Sequence, residues 1–196
     1  MSVSRALMSP ILGPMLILLP PSEKKAADPG PAITLYTGVL YQGLGWSTLT
    51  KAAQSRGQRS IAIISAKYGL VHPLDEIAPY KEKIDTQKMR APISAELDAI
   101  DTDLIIDCRS STYQGVWTAP AYKCVEIKVF QKGDGVKKVI THMSKKVRGE
   151  VTRLLLLSAT IPTNAQELAE IVSKNFECEL FENSAKEPWV LEVIAG

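Results

Sequence analysis

The sequence predicts an α/β fold: one domain built on a mixed β-sheet, with flanking helices and two β-hairpins in its C-terminal half. Three observations carry this. Short, wholly apolar runs at residues 15–19, 60–66 and 103–108 read as strands buried on both faces, the pattern of a parallel sheet. Between them lie segments of helical period bounded by cap-type residues. After Lys123 the period shifts towards two and a glycine-rich turn appears, which is the hairpin pattern. At 196 residues the chain is long enough for one sizeable core, so residues 15–196 are read as a single domain and residues 1–14 as a loose extension.

The elements follow in order. "MLILLPP" from Met15 is the first core strand, stopped by Pro20 and Pro21, which cannot donate to a continuing ladder. The residues before it are mostly apolar, but Pro10, Gly13 and Pro14 interrupt them and no small-x-small cleavage site follows. The uninterrupted apolar run is far shorter than the roughly 20 residues a bilayer needs, so neither a secretory leader nor a membrane span is expected. A polar, proline-rich loop, "SEKKAADPGPA", leads to "LYTGVLYQGLG", where glycines punctuate aromatic and aliphatic residues. A helix is expected from Ser47, an N-cap type, through Arg56, with Gly57 as its stop. Residues 60–66 form the second strand. "KYGLVHPLDEIAPYKEKI" leaves its end as an ordered loop, because its glycine, prolines and tyrosines are not linker composition. A helix near 94–100 precedes the third strand, from which a similar loop, "RSSTYQGVW", departs. Residues 123–131 and 136–143, around Lys132-Gly-Asp-Gly135, predict the first hairpin. A helix over 144–157 follows, then one over 163–176 with Thr163 and Gln166 in capping-box spacing. Residues 178–195 close the chain as a second hairpin, with Trp189 early in its last strand.

The charge is nearly balanced, 23 Lys and Arg against 21 Asp and Glu for a formal net of +2, which excludes a protein coated in basic surface. A local patch exists nonetheless. Lys137, Lys138, Lys145, Lys146, Arg148 and Arg153 gather against the single acid Glu150. Val147, Val151, Leu154 and Leu155 recur at helical spacing, so one face of the 144–157 helix is buried and the cations lie elsewhere. With that start, Lys145, Lys146 and Arg148 fall in the first turn, where the macrodipole is already positive and cations are mildly unfavourable. Two readings compete: an anion held at the helix N-terminus by backbone N–H groups and these cations, or long side chains snorkelling into water.

The other candidates lie in the two loops that leave strand ends, where open α/β sheets hold their ligands. Asp107 ends a buried strand and precedes Arg109, Ser110, Ser111, Thr112 and Tyr113. A carboxylate there serves as a base, orients a ribose hydroxyl, or caps the following turn. Asp75 is the second acid–base candidate. His72 and His142, the only histidines, show no metal-ligand spacing, so neither a metal nor another cofactor is expected. The three cysteines, Cys108, Cys124 and Cys178, are odd in number and form no C-x-x-C pair; they fit a reducing, cytoplasmic compartment and read as small buried hydrophobes. No Walker loop, G-x-S-x-G or G-x-G-x-x-G occurs.

"MLILLPPSEKK", "LYTGVLYQGL", "KYGLVHPLDEIAPYK", "DLIIDCRSSTYQGV" and "SKKVRGEVTRLLL" occur in the order, and with much of the wording, of the YaaA peroxide-stress family. The chain resembles a short form of that family from Met15 almost to its end. The resemblance implies a cytosolic bacterial protein that aids survival of hydrogen peroxide, limits free iron and binds DNA, with a single-domain α/β fold containing a helix-hairpin-helix-like element. It marks as ligand- or anion-binding Ser22, Lys24 (or Lys25), Thr37, Gly38, Tyr68, Gly69, Tyr113, Lys145, Lys146, Arg148 and Arg153. Pro73, Leu74, Asp75, Pro79, Tyr80 and Gly149 also match. The chain departs from the pattern in lacking the helical segment that longer members carry before "YTG", the part associated with DNA binding, and an aromatic-rich segment after "PYK". The acidic residue that usually follows the serine in the "DCRSS" region is also replaced.

Three functions are therefore weighed. A stress protein would hold phosphates of DNA or of another ligand through Lys145, Lys146, Arg148 and Arg153. An enzyme would act on a small nucleoside-like or phosphorylated substrate in a pocket of the 68–80 and 107–116 loops, with Asp107 or Asp75 as acid or base. Iron sequestration is the weakest, since histidines and carboxylates do not cluster at ligand spacing. The tyrosines at 36, 41, 68, 80 and 113 beside glycines favour a pocket. No membrane partner is expected, and the expected state is a monomer.

Overall fold

The computed structural model describes residues 13–133, 136–138, 141–182 and 184–195. The first twelve residues of the expected extension, and Asp134 and Gly135 of the expected glycine-rich turn, lie outside the described residues. Gly13 and Pro14 are attached to the fold: Pro14 O accepts from the backbone N–H groups of Asp103 and Leu104 at 3.1 and 2.9 Å, and Gly13 O from Thr102 Oγ1 at 3.2 Å.

The three apolar runs form the centre of one mixed sheet. β1 (Met15–Leu19) pairs in parallel with β3 (Ile61–Ser65) on one side and β6 (Leu104–Asp107) on the other. β6 pairs in parallel with β7 (Cys124–Gly133), and β7 with β10 (Trp189–Ala195). Antiparallel strands finish the sheet: β4 (Gly69–Val71) beside β3, β9 (Glu177–Phe181) beside β10, and β8 (Val136–Lys138) beside the far end of β7. The order is β4-β3-β1-β6-β7-β10-β9. Both expected C-terminal hairpins are present. A separate two-stranded ladder joins β2 (Gly30–Pro31) to β5 (Glu76–Ile77).

Strand alternation divides the core. Met15, Ile17, Leu19, Ile61, Ile63 and Ile106 face a cluster with helices α1 (Ala32–Leu35), α2 (Val39–Leu44), α3 (Lys51–Ser60), α6 (Thr141–Leu157) and α7 (Ala165–Ser173). Leu16, Leu18, Ala62, Ile64 and Ile105 face a smaller cluster built with Ile93 and Leu97 of α4 (Thr86–Asp98), and with Val116 and Trp117 beyond α5 (Ser111–Gln114). The central strands are covered on both faces, which is why they read as continuous apolar runs.

Several boundaries differ from the sequence reading. α3 starts after Thr50, whose side chain accepts from Ala53 N, and Gly57 lies inside it because the Trp46 ring occupies the space a β-carbon there would need. α4 begins eight residues early at Thr86, capped by Asp85, and carries Pro92 within it. The box opening α7 is Asn164 with Glu167, one residue later than expected: Asn164 Oδ1 accepts from Glu167 N at 3.0 Å, and Glu167 Oε2 from Thr163 N at 2.8 Å. α6 begins at Thr141, so His142 and Met143 belong to the helix and not to the hairpin.

Candidate ligand site at the carboxyl ends of the parallel strands

β1, β3 and β6 run in parallel and end together at Leu19, Ser65 and Asp107. The loop after β1 folds back along residues 35–37: Ala26 N donates to Leu35 O at 2.8 Å and Thr37 N to Lys24 O at 3.0 Å. This pairing brings Ser22, Lys24, Thr37 and Gly38 together, with Ser22 Oγ filling the space beside the Gly38 Cα. It also turns the Tyr36 side chain inwards. The Tyr36 and Tyr80 hydroxyls lie 2.8 Å apart, and Tyr80 accepts from Ser65 Oγ at 2.9 Å and Ala66 N at 3.3 Å. With both acceptor positions of Tyr80 filled, its own proton goes to Tyr36. Ser65 Oγ in turn accepts from Lys67 N and Tyr68 N at 3.3 and 3.2 Å.

The rings form a connected group. Tyr36 packs on Tyr41 at 5.3 Å and edge-on to Tyr80 at 6.4 Å, and Tyr68 meets Tyr80 edge-on at 5.7 Å. Tyr41 donates to Pro20 O at 2.8 Å, and Tyr68 exchanges hydrogen bonds with Ala78 O and Ala78 N, each 3.3 Å. Gly69, at φ +74°, makes the left-handed turn from the end of β3 into β4. Burial raises the Tyr36 and Tyr41 phenols well above the usual tyrosine range. Tyr113 packs against the smaller core cluster, and burial pushes it up to about 12, with Tyr80 and then Glu23 adding to the shift.

Lys25 closes this group on its outer side. Its Nζ lies 4.1 Å over the Tyr80 ring and 5.8 Å from the Tyr36 ring, and donates weakly to Glu23 O at 3.5 Å. Burial lowers its pKa, opposed by Glu23 and Glu82. The neighbouring Lys67 is instead paired with Glu82 at 3.1 Å. The cluster is packed against itself. Two open concavities lie elsewhere, one bounded by Asp103, Lys123, Asn164 and Trp189, the other by Arg90, Asp98 and Trp117.

The two acid–base candidates hold their loops in place. Asp107 is 3% exposed and takes Arg109, 2% exposed, in a bidentate pair: Nε to Oδ1 at 2.9 Å and Nη2 to Oδ2 at 2.7 Å. It also accepts from Arg109 N at 2.9 Å, while Arg109 Nη1 donates to Tyr113 O and Trp117 O. Asp75 Oδ2 accepts from His72 N at 2.8 Å, closing the turn whose carbonyls receive Ala32 N and Ile33 N. Both carboxylates are thus committed to capping and ion pairing.

The basic helix is also rearranged relative to expectation. Starting α6 at Thr141 moves Lys145 and Lys146 into the second turn and Arg148 beyond it, and the macrodipole effect fades within the first turn. The opposing-dipole argument therefore does not hold at these positions. Arg153 Nη1 donates to Leu44 O, Gly45 O and Thr48 Oγ1 at 3.1, 3.0 and 2.9 Å, closing the carboxyl end of α2. Lys146 pairs with Glu150 at 3.4 Å, and Lys145 is exposed. Arg148 Nε donates to Ile127 O at 3.1 Å. Ile127 follows the Glu126 that pairs with Asp107, so Arg148 reaches β7 beside the end of β6; burial raises the Cys108 thiol to about 12 and the Arg148 charge partly offsets it. The side chains of Lys137, Lys138 and His142 lie outside the described residues. α6 reaches α2 through glycines: a β-carbon on Gly149 would strike Leu40 O, and one on Gly43 would strike Lys146 O.

The structure therefore joins Ser22, Lys24, Thr37, Gly38, Tyr68 and Gly69 at one end of the sheet, packs Tyr113 against the smaller core cluster, holds Arg148 to β7 and turns Arg153 away to α2. Sequence reasoning passed over Ser65 and the Tyr36–Tyr80 contact, and set Lys24 ahead of Lys25. Ser65 had a signal: it is polar at the last position of an apolar strand, where a side chain meets the loops.

Fold and cluster define the class first: an α/β protein on a mixed sheet, its polar and aromatic side chains gathered where three parallel strands end. The family profile described as peroxide stress protein YaaA matches residues 21–180. The chain belongs to that family. It is 36% identical over 160 residues to a UPF0246 protein of Corynebacterium efficiens, covering 75% of this chain and 63% of that protein. It is 31% identical over 189 residues to a UPF0246 protein of Streptomyces coelicolor, covering 88% and 72%. The chain thus spans less than two thirds of the length of the Corynebacterium relative. Among the described residues no helix is long and apolar enough to cross a membrane, and no three metal-ligating side chains gather.

Proposed function

We propose that this member of the peroxide stress family acts in the cytoplasm by binding a small phosphorylated ligand at the carboxyl ends of β1, β3 and β6. The observation that carries this reading is the convergence of the segment after β1 and the loop after β3 on the Tyr36–Tyr80 hydroxyl pair. Lys25 supplies positive charge over the Tyr80 ring, and Ser22, Thr37 and the tyrosines supply hydrogen-bonding groups. The 68–80 and 107–116 loops contribute Tyr68, Tyr80 and Tyr113, while Asp75 and Asp107 keep those loops in shape.

Binding of DNA through α6 is the second reading, favoured by the exposure of Lys145 and Lys146 on one helix. Melting the protein with nucleotides, sugar phosphates and duplex DNA separates the two. The ligand reading expects a saturable rise with one small phosphorylated compound, about 2.7 kcal/mol at 100 times its dissociation constant. That rise should survive moderate salt, because partly buried charges are poorly screened. Stabilisation by DNA alone, lost steeply between low and moderate salt, would transfer the function to α6.

A further inference from the structure

At the amino ends of β6, β7 and β10 the sheet and the first turn of α7 bound a concavity of about 120 Å³. At roughly 30 Å³ for a water in the liquid, that is room for about four waters or one small organic molecule. Asp103 and Lys123, just ahead of β6 and β7, bring opposite charges to it, and Tyr122 and Trp189 line it with aromatic rings. The two strands are parallel neighbours with Ile105 level with Cys124, so these charges stand at the heads of adjacent strands. Such neighbours ordinarily close on each other, yet no ion pair joins them among the described residues. Each is held in place by something else. Lys123 Nζ donates to Thr102 O at 3.1 Å and stands 5.8 Å from the centre of the Tyr122 ring. Asp103 is fixed through its backbone N–H, given to Pro14 O at 3.1 Å, while its exposed carboxylate has no partner among the described residues. The start of α7 is not the anchor here, because Asn164 Oδ1 and the Glu167 carboxylate already serve it. An acid and an ammonium held apart across a small gap fit a molecule that carries both signs itself. A lone anion would meet Asp103 as well as Lys123, and a lone cation would meet Lys123 as well as Asp103.

We infer that this concavity binds the zwitterion of a small α-amino acid, its ammonium donating to Asp103, its carboxylate accepting from Lys123 and its side chain lying against Trp189. An ammonium has three hydrogens, so Lys123 can serve the ligand without leaving Thr102 O. The space admits one amino acid with a short side chain and excludes a peptide or a nucleotide. The site lies at the other end of the parallel strands from the phosphorylated-ligand site proposed above, so either stands if the other fails.

The test titrates the whole chain with L-alanine, with N-acetyl-L-alanine, which lacks the ammonium, and with L-alaninamide, which lacks the carboxylate, read by calorimetry and by amide NMR spectra. The expected result is saturable binding of L-alanine, with shifts confined to the amides around Asp103, Lys123 and Ala165. Each one-charge analogue should bind at least about tenfold more weakly, for want of one charge-assisted hydrogen bond. Asp103→Asn and Lys123→Met should each weaken L-alanine by a similar factor. Equal binding of either analogue, shifts scattered over the surface, or no shift at any attainable concentration overturns the inference. Undiminished binding in either variant overturns it too. A variant that fails to fold shows this in its amide spectrum, and the comparison of the three compounds on the natural chain then decides.

Discussion

Replacing Asp107 by asparagine strands a guanidinium in the interior. Arg109 is 2% exposed, and three of its five hydrogen bonds go to Asp107, the others to Tyr113 O and Trp117 O. Removing one member of a buried pair leaves an uncompensated charge, a loss of about 3–5 kcal/mol. In a chain of this size each kcal/mol moves the melting temperature by about 2–4 °C, so a fall of roughly 6–20 °C is expected. Urea titration with circular dichroism measures the loss directly. The companion is the double variant Asp107→Leu with Arg109→Met, which takes both charges away and should recover most of the stability, since apolar replacement of a whole buried pair is often neutral. If Asp107→Asn loses less than about 1 kcal/mol, or the double variant is no better than the single, the pair does not anchor the loop and the reasoning fails.

Four further outcomes are expected. Arg153→Met keeps the aliphatic stem but loses three hydrogen bonds at the end of α2 and should cost about 1.5–3 kcal/mol, whereas Lys146→Met should stay within about 0.5 kcal/mol; equal losses would show that Arg153 is only a surface cation. Gly149→Val drives a side chain into Leu40 O and should lose at least about 1–3 kcal/mol by urea titration, and an unchanged midpoint would mean that α2 and α6 do not meet there. A thiol reagent at pH 8 should leave Cys108 and Cys124 unlabelled until the protein unfolds, because burial raises both thiols; prompt labelling of either contradicts their burial. Tyr113 rises from 10.0 unfolded to about 12 folded, so its contribution is whole below pH 10 and is lost as pH climbs towards 12; melting curves of wild type and Tyr113→Phe that fall in parallel across that window would refute it.

The sheet was legible because its central strands are covered on both sides, and a buried strand has to be apolar at every position. The hairpins showed through their period. Helix starts were less legible: Thr50, Asp85 and Asn164 are all ordinary cap residues, and several others nearby would have served as well by composition. Pro92 lies inside α4, ahead of the 94–100 stretch where a helix was expected. At the site, the family motifs located the loops, but not which side chains meet. That Tyr36 faces Tyr80 follows from the backbone pairing of 24–26 with 35–37, a contact between segments with no periodicity to betray it. The cation cluster on α6 was visible as a run, yet sequence alone could not tell that Arg153 is spent on carbonyls of another helix.

The position of β1 has a kinetic consequence. Ile17 takes Ile61 on one side and Ile106 on the other, so β1 cannot complete its ladder until two distant stretches have found it. The hairpins β3–β4, β7–β8 and β9–β10 close over short loops and need no such search. Refolding should therefore show early formation of the hairpins and a slower step in which β1 is captured, since loop-closure entropy delays non-local parallel pairing. The Tyr41 hydrogen bond to the carbonyl of Pro20, at the end of β1, should form only in that last step, so it would report completion of the fold.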